Sequence, residues 1–221
     1  MELGVPPLTG GQFALIGDLL HRQCGIALAP GKEALVTARL YKRLRALGLQ
    51  AFDEYLDHVD RDPAELRAMV DALTTNKTDF FREPEHFVYL RQVVLPVLAP
   101  IDEPIKIWSA GCSSGEEPYS IAITLREGLP LPDLREARIL ATDISDRVLA
   151  CARAGVYDEE TVRDVPPAYL GRYFHRVQGR FTVNDALRRH VAFARALEHA
   201  VGDVGREDPH LAQVGVRQLL A

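Results

Sequence analysis

The sequence predicts an α/β protein in two parts: an all-helical N-terminal domain over residues 1–75, then a doubly wound parallel βαβ domain from residue 76. Three observations predict it. Apolar residues in the first part recur at helical spacing. From Ile105 onward the order becomes strand, glycine loop, helix, strand, helix, which requires parallel pairing through a crossover helix. Between the two parts lies TTNKTDFFR, Thr74 to Arg82, polar and then aromatic, which reads as an ordered linker.

The elements follow in order. Phe13, Ile16, Leu19 and Leu20 mark a first helix that Gly25 stops. Val36, Leu40, Leu44 and Leu47 form the buried stripe of a second, from about Lys32 to Leu47, with Gly48 in the C′ position. Phe52 to Val59 is a short third. A fourth opens with Asp62 as N-cap, Pro63 at N1 and Glu65 at N3, and carries Leu66, Met69, Val70 and Leu73 on one face. After the linker a helix opens at Pro84 and carries Phe87, Leu90 and Val94. The run Ile105 to Trp108 is a strand leading into GCSSG, Gly111 to Gly115, then a helix from about Glu116 to Glu127. A second strand, Arg138 to Thr142, ends at Asp143; Ser145 caps the following helix and Gly155 closes it.

Composition narrows the function classes. A net charge of -5 lacks the basic footprint of a nucleic-acid partner. No charged and apolar leader precedes Gln12, and no apolar run approaches the ~18 residues of a membrane span. Cys24, Cys112 and Cys151 are odd in number and lack CxxC spacing, so neither a disulfide framework nor a metal site is expected, and a reducing cytoplasm fits.

The glycine loop carries the first chemical signal. A strand, a small-residue loop and a helix start suit a nucleotide-like ligand, because glycine lets the ligand approach the backbone and the helix start offers free N–H groups. This loop reads GCSSGEEP rather than GxGxxG. Glu116 and Glu117 would repel a pyrophosphate and favour a cationic ligand such as S-adenosylmethionine, which has a sulfonium, an ammonium and no phosphate. The same acids also suit the positive end of the helix dipole, and the loop alone leaves both readings open. Asp143, at the end of the second strand, matches the acid that accepts from ribose hydroxyls in doubly wound folds; capping of the next helix is the other reading.

TTNKTDFFREPEHF, KIWSAGCSSGEEPYSIAI and ATDISDRVLACARAGVY resemble three consecutive blocks of the chemotaxis receptor methyltransferases, the CheR family. GIALAPGKEALVTARLYKRLRALGL resembles that family's helical receptor-binding domain, and the likeness runs from about residue 10 to 194. It implies a partial Rossmann-like class I S-adenosylmethionine-dependent methyltransferase domain over 76–194. It also implies a small antiparallel β subdomain at about 166–194, like one that grips a receptor tail peptide in some members. The implied activity is transfer of a methyl group to receptor glutamates, with S-adenosylhomocysteine as product. Asn76, Thr78 and Arg82 would line the pocket, Glu117 would contact the charged methionine side of the cofactor, and Asp143 would hold the ribose. Arg82 would steer the substrate carboxylate as the catalytic residue, or else pair with Glu83 or Glu85. Phe80 and Phe81 have core packing as their other reading. The basic helix residues Arg39, Lys42, Arg43 and Arg45 would meet acidic receptor helices, though an ordinary solvated face also explains them. A cytoplasmic monomer is expected.

After Ala194 the family pattern stops, and Arg195 to Ala221 reads as an atypical tail. A sheet of about seven strands would need on the order of 100 further residues. The alternative expectation is therefore a truncated, catalytically impaired receptor-binding module with little or no turnover alone.

Overall fold

The computed structural model describes residues 7–74, 76–98, 100, 104–130 and 137–196. They divide into two compact units, with the boundary between Thr75 and Asn76.

The first unit is helical. α1 (Gly10–Cys24) opens with a capping box: the Gln12 amide donates to the Thr9 hydroxyl, and the Thr9 amide donates to the Gln12 side chain. Gly25 ends it in the left-handed region at φ 69°. α2 (Glu33–Leu47) buries Val36, Leu40 and Leu44, while Leu47 is 36% exposed and lies outside the expected stripe. α3 (Phe52–Arg61) buries Phe52, Tyr55, Leu56 and Val59. α4 (Pro63–Leu73) starts where Asp62 accepts from the Ala64 amide.

One charge in this unit is deeply buried. Glu65, expected only as an N3 residue, is 4% exposed, and Leu66 beside it is only half-buried. The Glu65 carboxylate accepts from Arg43 Nε at 3.0 Å and Arg43 Nη2 at 2.5 Å, and from the Tyr55 hydroxyl at 2.8 Å. A buried carboxylate is tolerated only when paired and hydrogen-bonded, and here the pairing joins α2, α3 and α4. Burial and the bond to Glu65 push the Tyr55 phenol well above its ordinary value, so it stays a donor. Arg39 Nη1 donates to the Leu73 carbonyl at 2.5 Å, one of the acceptors that the end of α4 leaves over. Two of the four arginines and lysines read as a docking face, Arg39 and Arg43, thus bind within the helical unit itself.

The second unit opens with the linker and then α5 (Pro84–Tyr89), a π-helical turn (Leu90–Val94) and α6 (Leu95–Leu98). β1 (Lys106–Ala110), α7 (Glu116–Gly128), β2 (Arg138–Asp143) and α8 (Asp146–Ala154) make the expected βαβ path. β3 (Val156–Tyr157), α9 (Pro167–Tyr173), β4 (Phe174–Val177), β5 (Arg180–Val183), α10 (Asp185–Arg188) and β6 (Val191–Arg195) complete it. A parallel sheet has the order β1-β2-β6, and an antiparallel one has β3-β5-β4.

Here the sequence assignment needs correction. Val191–Arg195, placed in the antiparallel subdomain, is the third strand of the parallel sheet, paired from Ile139↔Val191 to Asp143↔Arg195. The small sheet instead begins earlier, at Val156. The reason is α10: capped by Asn184, it turns the chain after β5 and delivers β6 alongside β2. The two sheets share one core, since Tyr157, Phe174 and Phe181 belong to the same apolar cluster as Ile107, Ile121 and Ile139. Residues 197–221, where the atypical tail was expected, lie outside the described residues.

The buried ion pair yields a stability prediction. Arg43→Ala leaves the Glu65 carboxylate buried without a cation and is expected to destabilise the helical unit by roughly 3 kcal/mol, read by urea unfolding. Tyr55→Phe removes one neutral donor and should lose about 1 kcal/mol.

Candidate active site

The site is built where β1 and β2 end. Gly111 leaves β1 at φ 74°, and the amides of Gly111 and Cys112 both donate to the Thr142 carbonyl, at 2.8 and 2.9 Å. The loop is thereby tied to the tip of β2. Asp143, 6% exposed, then takes the next amides: Ser113 N–H donates to Oδ2 at 2.8 Å and Ser145 N–H to Oδ1 at 2.9 Å. Ser145, not Asp143, caps α8 by accepting from the Val148 amide. A carboxylate has roughly four lone-pair positions, so two remain open to hydroxyl donors.

The linker docks on this loop. Ser113 Oγ donates to the Asn76 carbonyl at 3.1 Å, and the Phe81 amide donates to Ser120 Oγ at 3.0 Å. Phe80 is fully buried, edge-on to Tyr157 at 5.0 Å and Phe174 at 5.6 Å. It is therefore the core anchor of the linker, while Phe81 packs edge-on to Phe87. The Asn76–Arg82 stretch is thus held beside the glycine loop. Thr78 is half-buried on it, and Arg82 is exposed, its Nη1 donating to the Lys77 carbonyl at 3.2 Å.

The two glutamates separate in role. Glu116, 4% exposed, accepts from Ser114 Oγ on both oxygens, at 2.9 and 2.8 Å. Burial, with a small contribution from Asp79, pushes its carboxyl up to about 7. Glu117 is less buried and accepts from Ser109 Oγ at 2.6 Å. Burial raises it too, opposed by the Ser109 bond and by His86 and Arg82, so those two basic side chains stand near its carboxylate. The Cys112 thiol is pushed up to about 12 by burial and by Asp143 and Glu117, which removes it as a nucleophile at neutral pH.

Asn76, Arg82, Glu117 and Asp143, expected together from the sequence, surround one loop, with Thr78 on the same linker. Sequence reasoning missed Ser109, Ser113 and Tyr157. Tyr157 donates through its hydroxyl to the Ser114 carbonyl at 2.8 Å. Its only sequence trace was its place at the end of the ARAGVY block. Lys42 and Arg45 remain exposed on α2, Arg45 lying 6.0 Å from the Tyr41 ring centre.

Asp79, Glu117 and Asp143 around one glycine loop form a negative cradle. It repels polyphosphate and suits a ligand carrying positive charge and vicinal hydroxyls. These residues fit S-adenosylmethionine. Among the described residues no cluster of three or more His, Cys, Asp or Glu is arranged for a metal, and no helix is long and apolar enough to cross a membrane.

A loop of this kind on a parallel sheet, with an acid closing the second strand, defines a nucleoside-binding α/β domain of the methyltransferase class. The chain belongs to the CheR methyltransferase family: residues 76–200 match its S-adenosylmethionine-binding domain and residues 11–74 its all-alpha domain. It is an S-adenosylmethionine-dependent methyltransferase by that membership. The matched range extends six residues past Ala194, where the sequence likeness was read as ending. Chemotaxis protein methyltransferase 2 of Pseudomonas aeruginosa is 44% identical over 189 residues, covering 84% of this chain and 67% of that protein. A probable chemotaxis protein methyltransferase of Rhizobium etli is 43% identical, covering 79% and 69%, and one of Klebsiella aerogenes is 41% identical, covering 78% and 59%. Neither the matched families nor these relatives favour the impaired binding module.

Glu116 makes stability depend on pH. Its folded value of about 7 lies above the ordinary 4.5, so its contribution is full below pH 4.5 and is lost as pH rises through 7. Glu116→Gln is therefore expected to be the more stable form at pH 8, by up to about 3 kcal/mol, with the difference vanishing near pH 4.5. Urea titrations across that range measure it, and parallel curves for the two proteins would contradict the assignment.

Proposed function

We propose that this chain is a protein-glutamate O-methyltransferase that methylates glutamate side chains of chemotaxis receptors during signal adaptation. The observation that carries the reading is the acidic glycine loop with Arg82 at its rim, in a chain of the CheR family. When bound, S-adenosylmethionine supplies an electrophilic methyl carbon and leaves as S-adenosylhomocysteine.

The residues of the chain do the rest by positioning. Glu117 and Asp143 hold the ammonium and ribose ends, and Asn76 and Thr78 line the wall made by the linker. Arg82 pairs with the incoming glutamate carboxylate and sets one oxygen in line with the methyl carbon. No general base is required, because a glutamate is already ionised at neutral pH. Exposure of Arg82 suits a residue that meets a substrate delivered from another protein. Lys42 and Arg45 attract an acidic receptor helix, and free cysteines suit a cytoplasmic monomer.

Two experiments test this. Calorimetric titration with S-adenosylhomocysteine is expected to show binding that Asp143→Ala weakens by ten- to a hundredfold, or about 1–3 kcal/mol. Incubation of the chain with receptor-containing membranes and tritiated S-adenosylmethionine should give base-labile label on the receptor; no label with cofactor bound would overturn the substrate assignment. For docking, the double change Lys42→Glu, Arg45→Glu should reduce receptor pull-down several-fold at low salt, with the difference fading at high salt. Arg43 is left intact in that variant because it holds Glu65.

A further inference from the structure

The glycine loop is fixed from both sides, and one of its holders lies outside the parallel sheet altogether. Tyr157 sits on β3 of the antiparallel sheet, yet its hydroxyl donates to the Ser114 carbonyl at 2.8 Å. The same residue, Ser114, gives its own hydroxyl to Glu116 at 2.8 and 2.9 Å. The next residue, Gly115, has φ 99°, and a Cβ there would stand 2.9 Å from the Tyr157 hydroxyl and 3.0 Å from Ala152 Cβ. The loop thus presses against Tyr157 so closely that only glycine fits, with its backbone in a region other residues avoid.

We infer that Tyr157 is a positioning residue for the cofactor: with Glu116, it locks the Ser114–Gly115 segment in the one shape in which the loop receives its ligand. This deepens the proposed reading of the loop and rests on it. Ser113, at φ 48°, is held by its amide to Asp143 and its hydroxyl to Asn76. Ser114 follows at once: Tyr157 holds its carbonyl and Glu116 its hydroxyl, while the next amide, that of Gly115, donates to the Cys112 carbonyl at 3.0 Å. Without the phenol hydroxyl, the Ser114 carbonyl would lack its buried donor, and the Ser114–Gly115 peptide plane would be held only at its other end, by the Gly115 amide on the Cys112 carbonyl. Burial keeps the Tyr157 hydroxyl protonated well beyond neutral pH, so it donates throughout the working range. The ring stands edge-on to Phe80 at 5.0 Å and Tyr119 at 6.4 Å, which fixes where the hydroxyl points.

The test is Tyr157→Phe, which keeps the ring and its packing and removes only the hydroxyl. S-adenosylhomocysteine titration is expected to show about tenfold weaker binding, the fold-change of one lost buried hydrogen bond. The KM for S-adenosylmethionine should rise by a similar factor, while kcat at saturation and the KM for receptor stay within about twofold. A purely structural tyrosine would lower the melting temperature and leave this split absent. Glu116→Ala should weaken cofactor binding in the same way, and Glu116→Gln, which keeps an acceptor for the Ser114 hydroxyl, should restore most of it. If the parent binds and both Tyr157→Phe and Glu116→Ala bind equally well, the lock is wrong and the cofactor site stands. If the parent itself does not bind, the cofactor reading fails and this inference fails with it. Should Tyr157→Phe not fold, the Glu116→Ala and Glu116→Gln pair decides alone.

Discussion

The Asp143 carboxylate is the constraint on which the site depends. Buried at the tip of β2, it accepts from the amides of Ser113 and Ser145 and so binds the loop after β1 to the loop after β2. Those two loops form the ligand crevice of a doubly wound sheet, and here their spacing is set by one side chain. Charge-assisted bonds to backbone amides are among the stronger ones available, which suits a hinge point with no regular secondary structure. The residue expected to bind ribose therefore also builds the site in which the ribose would lie. Losing it would cost both the ligand contact and the loop geometry.

The linker is the second support, and it works through apolar and polar contact together. Phe80 packs edge-on to Tyr157 and Phe174, both of the antiparallel sheet, while Ser113 and Ser120 take the backbone on either side of it. Phe81 and Glu83 both adopt φ 54°, outside the comfortable region for side-chain-bearing residues. Such backbone persists only where its surroundings over-determine it, and here the Phe80 anchor and the Ser120 bond do so. Arg82 is the residue between the two strained positions. Its exposed guanidinium is aimed by this backbone and by the bond from Nη1 to the Lys77 carbonyl.

Much of this was legible in the sequence, for local reasons. Asp62-Pro63, Gly25, Gly48 and Ser145 act within one helical turn, and periodicity reports them directly. GCSSGEEP and the aspartate after RILAT were legible because strand, loop and helix are consecutive. What escaped depends on partners far along the chain. Arg43 and Glu65 are 22 residues apart, and nothing in either helix announces that the acid is buried; Arg43 was read as part of a docking face for that reason. Tyr157 and Ser114 are 43 apart. β6 was misplaced because a short strand carries no mark of which sheet it joins, and that is decided by the turn through α10. Pattern reasoning finds residues that define an element, and misses those whose role is to join two elements.

The two buried glutamates show what the fold does with that distinction. Both are 4% exposed, and both are acids that water would solvate far better. In the helical unit, Glu65 has a guanidinium in bidentate contact and a phenol as well, so its charge is matched within the protein and helps join three helices. In the methyltransferase unit, Glu116 has only a hydroxyl and its own helix start, with Asp79 adding negative charge. The protein supplies Glu116 with no cation among its described partners, and burial raises its carboxyl to about 7 in consequence. A fold selected for stability alone would place a glutamine or an apolar side chain there. What the acid does here is hold the glycine loop, accepting from the Ser114 hydroxyl on both of its oxygens. Glu116 is thus part of the build of the glycine loop, while the ion pair at Glu65 is part of the build of the helical unit.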